Sequence, residues 1–294
     1  MDAEIIEALP DDVQAWLDVR DAYRRRAGGM EFLVTDLGRW PLGAPVRVAF
    51  LGGDTALHRQ IAAATEQITD ACGITLDFGW DEGSGQYRRW TEQDTEHAAE
   101  IRVGFDLPGY FSLVGSDSAD PGVGPAVGRV GGRAHQRSLN LGGFTERLPE
   151  KWAGTVRHEF LHALGFHHAH QNMRGECEGD FRWEDDPGYV PTQNADGVFV
   201  ADPAGNRPGI YTFLAGAPNF WPRAKVDVNL RTGNPYDVVA GPFDAKSVML
   251  YSFPALFYRT ESSPCRPTGN GVDLSEEDKR GLRLLYPSVA VGAP

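Results

Sequence analysis

The chain has 294 residues, 41% hydrophobic and 23% charged, with a net charge of −13 and three cysteines. That length accommodates one large domain or a domain with an appendage, and no stretch reaches the ~20 unbroken apolar residues that cross a bilayer. The acidic balance repels phosphate backbones and anionic lipid, which argues against nucleic acid and membrane as partners.

The opening MDAEIIEALPDDVQ lacks the basic start and apolar run of a secretory leader. A cytoplasmic or non-classically exported protein is therefore expected, or a secreted one if the start is trimmed. From Asp11 to Ala27, Val13, Trp16, Leu17 and Tyr23 fall at helical spacing, acidic residues open the run and Gly28-Gly29 stop it. VRVAFL (46–51) reads as a strand, His58 to Ala71 as a helix, and ITLDFGW (74–80) and IRVGF (101–105) as further strands. Residues 107–143 are loop-rich, with short strand candidates at 126–130 and 138–141, and 171–245 is rich in Gly, Pro, Asn and Asp. The ending DLSEEDKRGLRLLYP predicts a helix with Ser275 as N-cap and Pro287 as stop. This order of elements predicts an α+β fold, a mixed sheet with helices packed on it and an irregular second half.

Residues 155–168 read TVRHEFLHALGFHH. His158 and His162 stand four apart, so on a helix they project from one face and can share a metal ion. Gly165 can adopt a positive φ and end that helix, which lets the chain fold back and bring His168 to the same point. Three neutral histidines leave a fourth zinc position for water, the pattern of a catalytic site. Glu159, beside the first histidine, is placed to take a proton from that water, so the chemistry indicated is amide hydrolysis. His167 and His170 are nearby competitors, but His168 keeps the spacing.

HEFLHALGFHH fits the HExxHxxGxxH signature and so resembles the metzincin zinc endopeptidases. Downstream, SVMLYSF (247–253) is similar to the Met-turn of that group, with Met249 at the methionine and Tyr251 at the tyrosine of astacin-like and serralysin-like members. GYFSLVG (109–115) and the closing helix resemble the corresponding segments of astacins and matrixins. The resemblance implies a metzincin-like fold: a helical N-terminal extension over 1–44, then a zinc metallopeptidase domain over 45–294. Its upper subdomain would run to about 165, and its lower subdomain over 166–294 would end in a helix. It also implies one catalytic Zn2+ on His158, His162 and His168, Glu159 as base, Tyr251 as an auxiliary stabiliser, and a protein or peptide substrate. A monomer is expected.

The chain departs from typical astacins in two respects. Ala169 stands where astacins carry a glutamate after the third histidine, and their four-cysteine framework is absent. In astacins that glutamate receives a new N-terminal ammonium; an alanine offers it no counter-charge. The prefix 1–40 therefore reads as a packed extension and not as a switch peptide, the rival being a pro-segment across the cleft. FLGGD (50–54) is reminiscent of the Gly-Asp switch of astacin pro-segments, but its position between a strand and a helix makes Asp54 an N-cap. Cys72 reads as buried, while Cys177 and Cys265 are candidates to pair. The Asp-rich loops at 115–122 and 194–206 carry oxygen donors suited to Ca2+, although most such loops are solvated turns. Two other functions stay open: a processing peptidase dedicated to one protein, and a zinc-containing binding module without turnover.

Overall fold

A computed structural model describes residues 7–27, 38–171, 177–231 and 242–288. The helices are α1 (Asp11–Ala27), α2 (Thr55–Ala64), α3 (Glu66–Ala71), α4 (Trp152–Ala163), α5 (Cys177–Asp180), α6 (Ile210–Ala215), α7 (Arg223–Leu230) and α8 (Glu276–Leu285). The strands are β1 (Val46–Phe50), β2 (Leu76–Asp77), β3 (Ile101–Gly104), β4 (Tyr110–Ser112) and β5 (Leu139–Leu141). The chain divides into two compact units, one comprising Glu7–His167 with the segment from Val272 onward, the other containing His168–Gly271.

The first unit is built on a five-stranded sheet of order β2-β1-β3-β5-β4. Its first four strands run parallel, with Val48 opposite Ile101 and Val103 opposite Leu139, and β4 closes the edge antiparallel to β5. Val48, Ala49, Phe50, Ile101, Val103 and Leu139 are fully buried, as expected of strands covered on both faces. Asp54 caps α2 by accepting a hydrogen bond from Leu57 N at 2.8 Å, as its position predicts. The helix read over 58–71 is broken at Thr65, whose Oγ1 donates to Ala62 O and closes the turn between α2 and α3. No strand forms at 126–130. Pairing there is limited to one bridge of Val130 with Arg137, and Gln136 Nε2 takes Gly128 O within the segment. Arg102, buried in β3, does similar work. Its guanidinium donates to the carbonyls of Ala99, Glu100, Ser118, Gly131 and Gln136, pinning the long 115–136 loop to the sheet.

Helix α1 belongs to this unit. Val13 is fully buried with Phe111, Leu113, Val123 and Val130, with Leu9, Trp16 and Leu17 packed around them, and Arg20 pairs with Asp117 at 2.8 Å. The C-terminal helix α8 starts with a capping box in which Ser275 and Asp278 exchange side-chain to backbone bonds. Its Gly281 lies against Phe166, where a Cβ would come within 2.8 Å of the ring, so only glycine admits this approach.

In the second unit, short helices are joined by irregular chain around an aromatic core. Phe181 packs on Phe253 and Tyr258 with ring centroids 5.5 and 5.7 Å apart, and Phe213 packs on Phe257 at 5.3 Å. Cys177 and Cys265 form a disulfide that closes an 88-residue separation, and Cys72, in the first unit, is a buried free thiol. The Asp-rich loop at 194–206 is a set of hydrogen-bonded turns. Asp202 accepts from Val190 N, Ala204 N, Asn206 N and Asn206 Nδ2, and Asn194 Oδ1 accepts from two backbone amides. Among the described residues, no helix is long and apolar enough to cross a membrane.

The end of α4 receives caps from both flanks of the chain: Trp40 Nε1 donates to Ala163 O at 2.8 Å and Tyr286 Oη donates to Leu164 O at 2.9 Å. Burial pushes the Tyr286 phenol up to about 12. Replacing it with Phe leaves a buried carbonyl unsatisfied, so Tyr286→Phe is expected to lower unfolding free energy by about 1–3 kcal/mol in urea titrations at neutral pH. Because the folded-state pKa is raised, this stabilisation is full below pH ~10 and is lost as pH rises toward 12. The gap between wild type and Tyr286→Phe should narrow over that window, and a gap constant with pH would contradict the assignment.

Candidate metal centre

Helix α4 carries the centre. Nearly all of its second half is buried, including Val156, His158, Glu159, Phe160, Leu161 and His162, so the histidines are held in fixed surroundings. Arg157 anchors the helix from the side, donating to Ala64 O at 2.9 Å and Val272 O at 2.6 Å. At the helix end, Gly165 takes φ 98°, Gly165 N donates to His162 O, and Phe166 N donates to Leu161 O. This pair of bonds is a Schellman turn, available to glycine without strain.

The turn also sets the chemistry of His162. Phe166 O lies 2.7 Å from His162 Nδ1, and because a carbonyl only accepts, Nδ1 carries the proton. With Nδ1 so engaged, Nε2 is the ring nitrogen that faces the site, as in a metal ligand oriented by an outer hydrogen bond. His162 Nε2 lies 3.1 Å from His158 Nε2, as two rings one helical turn apart allow.

A residue that the sequence reading did not single out completes this part of the site. Glu7, four residues ahead of α1, is buried with Oε2 3.0 Å from His158 Nε2 and Oε1 3.2 Å from His162 Nε2. The ligand-capable atoms of Glu7, His158 and His162 lie within 4.8 Å of one another. Nothing in the local pattern of an acidic prefix distinguishes Glu7 from Glu4, because the contact depends on where α1 docks.

Glu159 is fully buried beside them. Desolvation pushes its carboxyl well above the usual carboxylate range, and the negative charge and hydrogen bond of Glu7 push it the same way. Burial would raise Glu7 too, but His158 and His162 outweigh it and hold the Glu7 carboxylate well below its ordinary range. Glu159 Oε2 has no hydrogen-bond partner among the described residues. A buried acceptor in this state is explained by a missing water or ion. The two imidazole nitrogens, with the Glu7 carboxylate beside them, form a borderline donor set that suits zinc.

His168 and Tyr251 lie in the second unit and are brought together there, with ring centroids 4.6 Å apart. Ala169 N donates to Met249 O at 3.0 Å, which ties the segment after His168 to the 247–251 stretch, and Met249 is buried. The competing histidines are accounted for differently. His170 is buried against Phe253 with Nε2 3.1 Å from Asn229 O, whereas His167 is exposed.

No family model matches the chain, and no curated protein matches it. Among solved structures it is similar to myroilysin, in one structure with 23% identity and a TM-score of 0.57, covering 86% of this chain and 98% of that one. A second myroilysin structure gives 20% identity and a TM-score of 0.47 over 97% and 99% of the two chains. High choriolytic enzyme 1, a hatching enzyme zinc-protease from the medaka fish Oryzias latipes, gives 15% and 0.46 over 87% and 98%. The first likeness is one of fold, and the mixed five-stranded sheet with its helices is the α+β architecture that the order of elements predicts.

In the zinc-loaded protein, long-range proton–nitrogen spectra should show His162 protonated at Nδ1 and metallated at Nε2. Metallation at Nδ1 would mean that the Phe166 carbonyl does not orient the ring.

Proposed function

We propose that this chain is a zinc-dependent endopeptidase. The observation that carries the reading is the pair of Nε2 atoms on one face of α4, one of them turned into the site by the contact of its ring with Phe166 O, next to a buried Glu159 with an unsatisfied oxygen. His158 and His162 would hold the ion, with His168 as third donor on the strength of its spacing after Gly165. Zinc bound there supplies Lewis acidity toward water and toward a substrate carbonyl.

The chain's own residues would move the proton. Glu159 takes it from the attacking water and returns it to the leaving nitrogen, so one carboxyl serves as base and then acid. Tyr251, tilted against the His168 ring, is the proposed hydroxyl donor to the oxyanion that forms on the carbonyl. The substrate would be a protein or peptide. Met249 and its neighbours would supply the Met-turn floor.

Elemental analysis should find one zinc per chain, lost together with hydrolysis on treatment with a strong chelator. Glu159→Gln is expected to keep the zinc and the fold while lowering kcat about 10²–10⁴-fold on a quenched peptide library. Tyr251→Phe should lose a smaller factor, mainly in kcat. Glu7→Ala belongs in the same assay because its carboxylate stands at the donor nitrogens. If wild type and Glu7→Ala both carry zinc and neither cuts any library peptide, the peptidase reading fails and a binding module takes its place. Cleavage of one sequence alone would indicate a dedicated processing enzyme.

A further inference from the structure

The second unit holds a cavity of about 550 Å³ that the hydrolytic scheme does not use. Trp183 forms one wall, and from it the rings of Phe181 and Phe253 lead to Tyr251 with centroid steps of 5.6, 5.5 and 5.4 Å. Both intervening rings are buried, so the cavity lies apart from the pair formed by Tyr251 and His168. Its volume is that of a ligand pocket, well beyond a single ion or water.

The walls are charged, and the charges are unevenly matched. Arg182, 6% exposed, donates from Nη1 to Asp186 Oδ2 at 3.2 Å, and Arg207 Nε donates to the same oxygen at 3.1 Å. Burial lowers the Arg182 guanidinium below its ordinary range, and the like charges of Arg207 and Arg259 lower it further while Asp186 opposes them. Two guanidiniums thus share one carboxylate and a third stands close by, an arrangement that a second anion would relieve.

The donors point the same way. Each acid at the cavity is already engaged: Asp186 as above, Glu184 with Arg223 at 2.6 Å, and Asp185 with Gly209 N at 2.7 Å. Arg231 is engaged as well, donating to Glu178 and Tyr211 Oη while its guanidinium lies 3.9 Å from the centre of the Trp183 ring. Arg259 differs. Its Nε donates to Phe181 O at 3.2 Å, and its two Nη groups have no acceptor among the described residues. A guanidinium held through Nε keeps the end-on fork of Nη1 and Nη2 for a ligand, and that fork matches the two oxygens of a carboxylate.

We infer that this cavity is a carboxylate-binding site, in which Arg259 takes the two oxygens bidentately and the stacked Trp183 and Arg231 wall the rest of the ligand. A planar monoanion suits it. A dianion such as phosphate would set more negative charge beside Asp185 and Asp186 than the one free fork offsets. Two sources carry the group at the size of the cavity, an acidic side chain within a peptide and the free C-terminus of one. The site stands whether or not the metal centre hydrolyses peptides.

The test titrates full-length wild type, Arg259→Gln and Arg259→Lys calorimetrically with four probes. These are Ac-Gly-Glu-Gly-NH2, its neutral counterpart Ac-Gly-Gln-Gly-NH2, Ac-Gly-Gln-Gly with a free C-terminus, and inorganic phosphate. Wild type should bind a carboxylate peptide about 10–100-fold more tightly than the neutral one, and Arg259→Gln should lose a similar factor. Arg259→Lys should recover only part of it, since an ammonium keeps the charge without the fork. The peptide that binds identifies the source of the carboxylate. Circular dichroism and zinc content should be the same in all three proteins, so the outcome is separate from that of the metal-centre reading.

Absence of binding by either carboxylate peptide, or affinity no greater than that of the neutral peptide, overturns the inference. So does unchanged affinity in Arg259→Gln, or phosphate binding as tightly as the carboxylate. Full recovery by Arg259→Lys overturns the bidentate role of Arg259.

Discussion

The last turn of a helix presents carbonyls that its own amides cannot reach, and how α4 satisfies them determines the rest of the site. Leu161 O and His162 O are taken by the backbone amides of Phe166 and Gly165, Ala163 O by the Trp40 indole and Leu164 O by the Tyr286 phenol. The Schellman turn that absorbs two of them also aims Phe166 O at His162 Nδ1. Capping, chain reversal and ligand orientation thus come from one short segment. The Trp40 and Tyr286 caps come from residues 123 and 122 positions away in sequence, so the segment before β1 and the end of α8 close over the same helix end.

Burying two imidazoles with two carboxyls sets a second constraint. The environment separates the carboxyls: Glu7, facing the imidazoles, is held ionised, while Glu159, facing Glu7, is pushed toward its protonated form. Like charges at this spacing cannot both be sustained in a dry site, and a cation would relieve them. The remainder of the unit limits polar burial elsewhere. Arg102 uses five main-chain carbonyls as acceptors, and Arg137 is paired with Glu92 and Asp106.

Much of this was legible in sequence because it is encoded locally. The periodicity of α1, the strand at 46–50, the Asp54 cap and the Ser275 capping box each depend on residues a few positions apart, and each is found. Spacing alone aligned His158 with His162 and assigned Gly165 to a reversal. The strand expected at 126–130 is reduced to a bridge of Val130 with Arg137, and the Gln136 side chain that takes Gly128 O is invisible to alternation patterns. Glu7 was beyond reach for a similar reason. Its approach to α4 depends on Val13 docking against Phe111 and Leu113, some 100 residues away, and no short-range signal reports such a contact.

Ala169 and Glu7 together change how the prefix is understood. Alanine after His168 leaves no carboxylate to receive an incoming ammonium, and the backbone amide at 169 is committed to Met249 O. Control by a positive chain end at that position therefore has no electrostatic basis in this chain. What the described prefix does is pack: Val13 is buried with Phe111 and Leu113, and Glu7 reaches His158 and His162 through that docking.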